Sequence, residues 1–393
     1  MPTETAGLLN TPGLLAWIAI PFGLLLIGVS LADIGLTVLH VQAESPVSSK
    51  LTRGFWTVLA AVCRPMGRRV QGRVLALGMP LMIALTLAFW VVCSVLGFAL
   101  LFAPFIGDPR WFASGPGQSG ASLGVADALY FSAVSFLTIG FGDVVPLHPL
   151  VRWLAVSEGA FGLLTISLSV TYLLSLYPWV TRKMALTAVL NQEAGGRVDG
   201  AAIAQRYVLT GRQAMLADRL RWLNDELLMA GQAHSSYPLL FFVRPQQAHE
   251  SFVRALAVIQ GIVCTLRYLL DDKTYPDVVN DPQLLVLEEG LLYTLHRLDR
   301  SSHLVTKGTD PDAEAARVEA EQRNVIAALS DAGVAVVRLD QPERLEAAAG
   351  FRAATDPYIL AYARNVDYRP EDIWTTYDRW ERDSALKQAP KAA

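Results

Sequence analysis

A short run of residues from Thr138 to Asp143 has the residue types and spacing needed to bind a cation. The run reads Thr-Ile-Gly-Phe-Gly-Asp. Glycines at alternate positions allow backbone angles that place consecutive carbonyl oxygens on one side, which a Cβ would oppose. These carbonyls and the Thr138 hydroxyl are hard oxygen ligands suited to an alkali cation. The run therefore predicts a site where backbone oxygens replace water around an ion, with Ile139 and Phe141 pointing away.

The flanking sequence predicts the elements that hold this run in place. Residues 127–137 are mostly apolar over about three helical turns, which is too short to cross a membrane. Asp127 suits the first turn of such a helix. The C-terminus of the helix would then aim its partial negative charge toward the ion. Asp143 and Pro146 follow, and a long apolar segment begins at Leu150.

The run Thr138–Gly142 resembles the T-V-G-Y-G selectivity filter of the potassium-channel superfamily. Only two positions differ, because this chain has Ile139 and Phe141 there. Together with its flanking segments, the run gives residues 73–180 a resemblance to the pore domain of that family. Such a domain consists of an outer helix, a pore helix, the filter and an inner helix. The resemblance implies a filter of Thr138, Ile139, Gly140, Phe141, Gly142 and Asp143, with K+ bound at Thr138, Ile139, Gly140 and Phe141.

The resemblance also implies an assembly and a function. Four loops are needed to build one filter, and the chain contains one such run. A closed homotetramer is therefore expected. The implied function is passive, potassium-selective conduction without catalysis, regulated by the cytoplasmic domain, and no cofactor is expected besides the permeant K+. The alternative is a membrane-anchored signalling or enzymatic module whose pore-like region does not conduct.

The composition indicates a membrane protein. Of the 393 residues, 52% are hydrophobic and 18% are charged, and the mean hydropathy is +0.34. This is too apolar for an ordinary soluble protein. The net charge of −3 gives no basis for nucleic-acid binding. The expected partners are the lipid bilayer, K+ and further copies of the chain, whereas the sequence does not identify a regulatory ligand.

Three segments are apolar enough and long enough to cross a bilayer, given the roughly 20 residues that a span needs. They are the first helix at 14–41, the outer helix near 74–105 and the inner helix near 150–177. We therefore predict an all-α membrane protein with three transmembrane helices plus a re-entrant pore helix and filter. A mainly helical cytoplasmic domain at 184–393 follows the pore domain.

Basic residues predict the orientation of these spans. The linker 42–72 contains Lys50, Arg53, Arg64, Arg68 and Arg69. The positive-inside rule places such a loop in the cytoplasm. Residues 1–13 are then an external N-terminus, and the C-terminus is cytoplasmic, in the cell (inner) membrane. Within the linker, residues 54–63 are predicted to form an amphipathic helix on the inner surface. The arginines flank the spans, so no voltage sensor of the usual kind is expected.

Two glycines of the inner helix, Gly159 and Gly162, are candidate hinges for gating. Glycine lowers helix stability and permits bending. The alternative is that they allow close packing against a neighbouring helix, and the sequence does not choose between the two.

Three further residues are predicted to support the filter: Glu158, Tyr130 and Phe131. An acid within a span requires a partner, and Ser132, Ser135 or backbone groups of the pore helix are the candidates for Glu158. Phe141 lacks the hydroxyl that a tyrosine would offer to the pore helix, so support from elsewhere is expected.

Asp33 is an acid in the first span, where it shares a helix face with Thr37 and His40. Such a residue is a candidate for function. The favoured interpretation is a helix–helix contact or an ion pair at the membrane interface.

The cytoplasmic domain has helical periodicity but no recognisable nucleotide-binding or metal-binding motif. Helices are predicted at Gln213–Met229, Gln247–Leu270, Gln283–Arg297, Pro311–Ala332 and Pro370–Lys387, with a short strand at Val334–Leu339. The apolar run Tyr237–Phe242 is expected in the core of the domain, although packing against a neighbouring subunit or the membrane surface is the alternative.

Overall fold

The computed structural model describes residues 14–39, 45, 47–115, 123–302, 311–338 and 342–374. The chain divides into two compact units. One comprises Met1–Phe55 and Pro80–Ser175, and the other comprises Trp56–Met79 and Leu176–Ala393.

The first unit is built mainly from long apolar helices. Helix α1 (Leu14–Ile34) continues as a π-helix (Gly35–Leu39), and α4 spans Gly78–Phe102. Next come β1 (Phe112–Ser114), α5 (Val125–Phe136), β2 (Val144–Pro146) and the start of α6 (Pro149–Glu193). The two strands are antiparallel, with Ala113 opposite Val145. Since they form the only sheet in the described residues, the predicted all-α class is confirmed.

The described part of the second unit is mainly helical. It contains α3 (Arg68–Ala76), α7 (Ala201–Tyr207), α8 (Gln213–Ser236), α9 (Phe252–Val263), α10 (Pro276–Val279), α11 (Pro282–Ser302), α12 (Pro311–Asp331), α13 (Pro342–Asn365) and α14 (Pro370–Trp374). Two short 3-10 helices (Pro238–Phe242, Ala248–Glu250) precede α9, and a π-helix (Cys264–Leu269) continues it. Helix α2 (Ser48–Cys63) crosses from one unit into the other along the chain.

Four described helices are long and apolar enough to cross a membrane. They are Ile18–Val38, Gly78–Phe102, Pro149–Glu193 and Phe252–Leu269. The first three coincide with the predicted spans. The fourth differs in its surroundings, because 89% of its apolar stretch is buried by the protein against 28% to 50% in the others. A helix that protein covers on all sides is a core helix, so Phe252–Leu269 serves as the centre of the second unit.

Asp33 has the surroundings of a structural contact. Its carboxylate is 2% exposed and accepts hydrogen bonds from Trp90 Nε1 at 2.7 Å and from the backbone N–H of Ser48 at 3.1 Å. The hydroxyls of Ser45 and Ser48 also donate to it. An acid at the first N–H groups of α2 is favourable, so Asp33 joins α1, α4 and α2. Its predicted neighbour His40 lies outside the described residues.

The predicted surface helix of the linker is longer than expected and is partly covered by protein. Trp56 of α2 is 4% exposed, and its indole Nε1 donates to the Asn365 carbonyl oxygen at 2.7 Å. Its ring centroid lies 5.6 Å from that of Phe242. Val58 and Val62 remain exposed. Trp56 therefore belongs to the core of the second unit, and only the other face of α2 is free for a membrane surface.

The core of the second unit follows helical spacing closely. Helix α11 buries a stripe of leucines, each at most 1% exposed, at Leu284, Leu287, Leu291, Leu295 and Leu298. It packs along α8 and also contacts α9. Helix α8 contacts the 3-10 helix Pro238–Phe242, which precedes α9. The run Tyr237–Phe242 has four buried residues, Leu239 to Phe242, which agrees with the core interpretation.

Several details of this domain differ from the sequence-based expectations. Helix α13 was not predicted, because buried charges and Pro357 interrupt its apolar pattern. The expected strand Val334–Leu339 is wrong over its described residues, where only Val336 pairs, with Leu270. The expected helix Gln247–Leu270 is divided into 3-10, α and π segments. Helix α14 ends at Trp374 in the described chain, and the rest of Pro370–Lys387 lies outside it.

Buried His234 and half-buried His249 predict that acid destabilises the second unit. Burial lowers the pKa of His249 from 6.5 to about 4, and burial beside Lys183 lowers the pKa of His234 well below its usual value. The unfolded chain therefore takes up protons below pH 6.5 that the folded chain binds only near pH 4 or lower. The unfolding temperature should fall through this window, by about 2–4 °C for each kcal/mol lost.

Circular dichroism of the purified protein against pH measures this fall. His249→Gln removes one of the two titrations and should make the pH profile shallower. A parent protein whose unfolding temperature is constant from neutral pH to pH 4 would contradict the assignment.

Candidate functional site

The short helix α5 aims its C-terminus at the Thr138–Asp143 run. Its start is capped as predicted, because the Asp127 carboxylate accepts from the backbone N–H of Gly124 at 2.7 Å. After Phe136 the chain leaves the helix through two turn hydrogen bonds. Thr138 N donates to the Ser135 carbonyl at 3.0 Å, and Ile139 N donates to the Val134 carbonyl at 2.9 Å.

The run itself has an alternating backbone. Thr138, Gly140 and Gly142 have positive φ angles of 56°, 63° and 76°. Only glycine adopts this region at no steric cost, so Thr138 is held in a strained conformation. A Cβ added to Gly140 or Gly142 would meet no atom within 4 Å. The requirement for glycine at these two positions is therefore one of backbone conformation.

The side chains of the run face away from the rest of the chain. Every residue from Leu137 to Gly142 is exposed, with Ile139 50% and Phe141 69% exposed. Apolar residues exposed side by side indicate a surface that a partner or lipid covers.

Both ends of the run are anchored. Tyr130 of α5 donates its phenolic hydroxyl to Asp143 Oδ2 at 2.7 Å. The Gly115 N–H donates to the Asp143 carbonyl at 2.7 Å, where β2 begins to pair with β1. Asp143 is thus tied to the helix before the run and to the strand pair after it. This strand pair was not predicted from the sequence, where the β-branched pair Val144-Val145 is its one signal.

Glu158 of α6 is fully buried against α5. Ser132 Oγ donates to Glu158 Oε1, and Ser132 Oγ also lies 2.8 Å from the Val95 carbonyl oxygen of α4. Glu158 Oε2 has no hydrogen-bond partner among the described residues. Of the partners proposed from the sequence, the structure brings Ser132 to Glu158. This contact joins α5, α4 and α6.

Phe131 occupies the apolar core on the other side of α5. Its ring meets Phe102 and Phe112 edge-on, with centroids 5.0 Å and 5.3 Å away. Phe131 is 7% exposed and lies in the same cluster as Val144. It therefore fixes the position of α5 against α4 and the strand pair, and contributes to the run only through that position.

The two candidate hinge glycines have different surroundings. Helix α6 is unbroken through both of them. A Cβ on Gly162 would lie 1.9 Å from the Phe136 carbonyl oxygen, whereas a Cβ on Gly159 would lie 3.5 Å from the Ser135 carbonyl oxygen. Close packing on the end of α5 explains Gly162. A hinge at either position stays a prediction.

An open cavity of about 550 Å³ adjoins the run. One wall consists of Thr138, Gly140 and Gly142, and the other includes Arg152 and Val156 of α6. Arg152 Nε donates to the Pro146 carbonyl at 3.0 Å, so this arginine contacts the segment after the run. No three His, Cys, Asp or Glu side chains within the described ranges are grouped to hold a metal ion.

Comparison with known proteins gives the class of this region. Residues 85–177 match the model of a family described as "Ion channel", a potassium-channel-like pore family with two transmembrane helices. The match confirms the resemblance stated from the sequence, since residues 85–177 are similar to this ion-channel family.

Two bacterial relatives are similar to the chain. It is 27% identical over 277 residues to "Uncharacterized membrane protein YdjJ" of Bacillus subtilis (strain 168), covering 70% of this chain and 77% of the relative. It is 30% identical over 86 residues to "Protein LctB" of Bacillus caldotenax, covering 21% of this chain and 63% of the relative. The first alignment is longer than the channel domain, so the likeness includes part of the remaining chain. No solved structure matches.

Proposed function

We propose that this protein is a potassium-selective channel that conducts passively through a closed ring of four copies. The observation that carries the proposal is the alternation of left-handed backbone at Thr138, Gly140 and Gly142 directly after a short helix. This backbone lets successive carbonyl oxygens line one side of the loop, where they can replace the water around a desolvated K+.

The exposed side chains of the loop support the ring. Ile139 and Phe141 are half or more exposed in one copy, and in a closed assembly they would be covered by neighbouring copies. Part of a neighbouring copy would likewise fill the cavity that adjoins the loop along α6. Tyr130, Glu158 and Phe131 hold the loop from behind, through Asp143, Ser132 and the aromatic cluster respectively.

The same proposal includes the position of the chain in the cell. The basic linker supports an orientation with the second unit in the cytoplasm, the protein in the inner membrane and the N-terminus outside. Helix α6 continues from the channel domain into the second unit as one helix, Pro149–Glu193. A change in the second unit could therefore reach the pore through α6, which is the basis for assigning a regulatory role to this unit.

Ion flux from liposomes tests the proposal. Vesicles that contain the purified protein should release K+ when a membrane potential drives it, and they should release Na+ far more slowly. Mass measurement in detergent should give four copies. Equal K+ and Na+ flux, or a folded monomer that conducts, would refute the assignment.

Glu158 provides a second expected result. Glu158→Gln keeps a hydrogen-bonding group for Ser132, whereas Glu158→Ala leaves Ser132 beside a void. We expect alanine to cost about 1–3 kcal/mol and to shorten open times in single-channel records, with a smaller effect of glutamine. Neither change should alter which ion is preferred, because the loop backbone is retained.

The Ser132→Ala variant is the control for this prediction. If Glu158 acts through Ser132, the double variant should be little worse than either single variant. Fully additive effects would show that Glu158 supports the loop by some other contact.

A further inference from the structure

A second cavity, of about 210 Å³, lies inside the second compact unit. Helix α9 lines it with Ala257, Gln260 and Gly261, and the rest of the lining comes from the π-helix after α9, from α12, α13 and α14, and from the segment before α7. The volume is below the roughly 300–1,000 Å³ of pockets for drug-sized ligands. The cavity therefore suits a small metabolite, and it is separate from the loop that the channel uses.

The acids around this cavity already accept hydrogen bonds from the protein. Asp199 pairs with Arg197 and accepts from the Ala201 N–H at 3.0 Å. Glu321 accepts from Arg317 Nη1 through one oxygen and from Arg352 Nη2 at 3.0 Å through the other. A ligand that brings a cation to the cavity would have to displace these pairs.

Donors at the cavity remain unused. Gln322 is 5% exposed, and its Nε2 has no hydrogen-bond partner in the part of the chain that the structure describes. Arg352 donates from Nε to Asp356 and from Nη2 to Glu321, and Arg197 donates from Nε and Nη2 to Asp199. Within the described residues this leaves Nη1 of both arginines without an acceptor, although these two atoms are not fully buried. Gln322 Nε2 is a buried donor without a partner, which is unfavourable, so an acceptor is missing at this atom.

The rest of the lining mixes polar and apolar residues and includes one aromatic ring. Trp374 of α14 lines the cavity, with its ring 6.0 Å from the Arg317 guanidinium. This ring, Ala257 and Gly261 are the surfaces that a flat apolar group would contact. The lining thus combines unused N–H donors with apolar surface.

We propose that this cavity is a binding site for a small organic monocarboxylate. The carboxylate accepts from Gln322 Nε2 and from the free edges of Arg352 and Arg197, which are charge-assisted hydrogen bonds. The apolar part of the ligand contacts Trp374 and α9. A role of this site in regulating the pore rests on the channel function proposed above. Ligand binding itself does not require that the protein conducts ions.

Calorimetry on the full-length protein in detergent tests the ligand class, with benzoate and benzamide as matched probes. The two have nearly the same shape, but only benzoate is an anion. We expect benzoate to bind at least about tenfold more tightly than benzamide, since bonds to a charged acceptor are roughly twice as strong. Three outcomes would overturn the proposal. The two probes could bind equally well, inorganic phosphate could bind in place of benzoate, or benzoate could fail to bind at millimolar concentration.

The Gln322→Met variant tests the site. It keeps the length of the side chain and removes the buried donor, so benzoate affinity should fall by about tenfold. Without ligand, its unfolding temperature should equal or exceed that of the parent, because an unpaired donor has been removed. Gln192→Met, at an exposed position of α6, should leave benzoate binding unchanged. Parent-like affinity in Gln322→Met would refute the site.

Flux measurements separate this proposal from the channel function. Benzoate should change the rate of K+ release from liposomes that contain the parent protein, and it should have little effect on the Gln322→Met variant at the same concentration. Binding of benzoate to a protein that shows no selective K+ flux would refute the channel function and leave the site intact. Selective flux without benzoate binding would refute the site alone.

Discussion

Gly142→Ala should abolish the preference for K+ over Na+ while the protein is still produced and inserted in the membrane. Gly142 has a φ angle of 76° and open space around its missing Cβ. The replacement therefore creates no clash within the subunit. Its cost is the left-handed backbone itself, roughly 1–2 kcal/mol per residue for a side chain, or about 4–8 kcal/mol when four loops form one ring.

The loop can escape this cost only by turning a peptide plane, which removes one carbonyl from the ion path in every subunit. Selectivity depends on those oxygens, so ion-specific flux should be lost before membrane insertion or yield. Gly54→Ala is the matched control, because Gly54 also has no atom near its missing Cβ but lies in helix α2 without a positive φ. Liposome flux of K+ and Na+ for both variants decides the matter. If the Gly142→Ala protein kept the parent's ion preference, the loop would not be the conduction site.

The sequence was sufficient to predict the elements around the loop because each depends on local pattern. Long apolar runs gave α1, α4 and the first part of α6, and Asp127 marked the start of α5. Glycine spacing gave the backbone alternation, which is a property of residue type. These signals do not depend on how the helices pack. The structure therefore gives the first and last residues of these elements and otherwise changes the prediction little.

The contacts between elements were harder to predict. Tyr130 and Glu158 were predicted to support the loop, and Ser132 was among the candidate partners of Glu158. The partner of Tyr130, Asp143, was not predicted, because it depends on how the loop lies against α5. Asp33 was favoured as a helix contact, and the structure adds that it holds the first N–H groups of α2. Phe112–Ser114 gave no alternating pattern and was missed as a strand, because a three-residue pairing is fixed by its neighbours.

The second unit shows where local pattern fails. Helix α13 contains Arg352 and Asp356, which are buried together and joined by a hydrogen bond of 3.0 Å. Buried charges are expensive unless they are paired, and the pairing involves Glu321 and Arg317 from α12. A prediction based on the spacing of apolar residues therefore treats α13 as a polar segment. Two of these charges, Arg352 and Glu321, line the Gln322 cavity, so the lining contains no pattern that a sequence motif would reveal.

Gly162→Ala is expected to have the second large effect, and it distinguishes packing from bending. A Cβ at this position would lie 1.9 Å from the Phe136 carbonyl oxygen, far inside any van der Waals contact. The obstacle is backbone at the end of α5, directly before the loop, so it cannot rotate away as a side chain would. Overpacking of this kind costs about 1–3 kcal/mol or more. The displaced helix end would carry the loop with it.

Gly159→Ala is the control on the same helix, since its Cβ would lie at an ordinary 3.5 Å from the Ser135 carbonyl oxygen. If the glycines serve packing, Gly162→Ala should lose most K+ flux and yield less assembled protein, and Gly159→Ala should behave like the parent. If they serve as a hinge, either alanine stiffens α6, and both variants should show altered opening with normal assembly. Flux from liposomes, set against the amount of assembled protein in each preparation, separates the two. Parent-like flux and yield for Gly162→Ala would show that α5 is not held against α6 at this point.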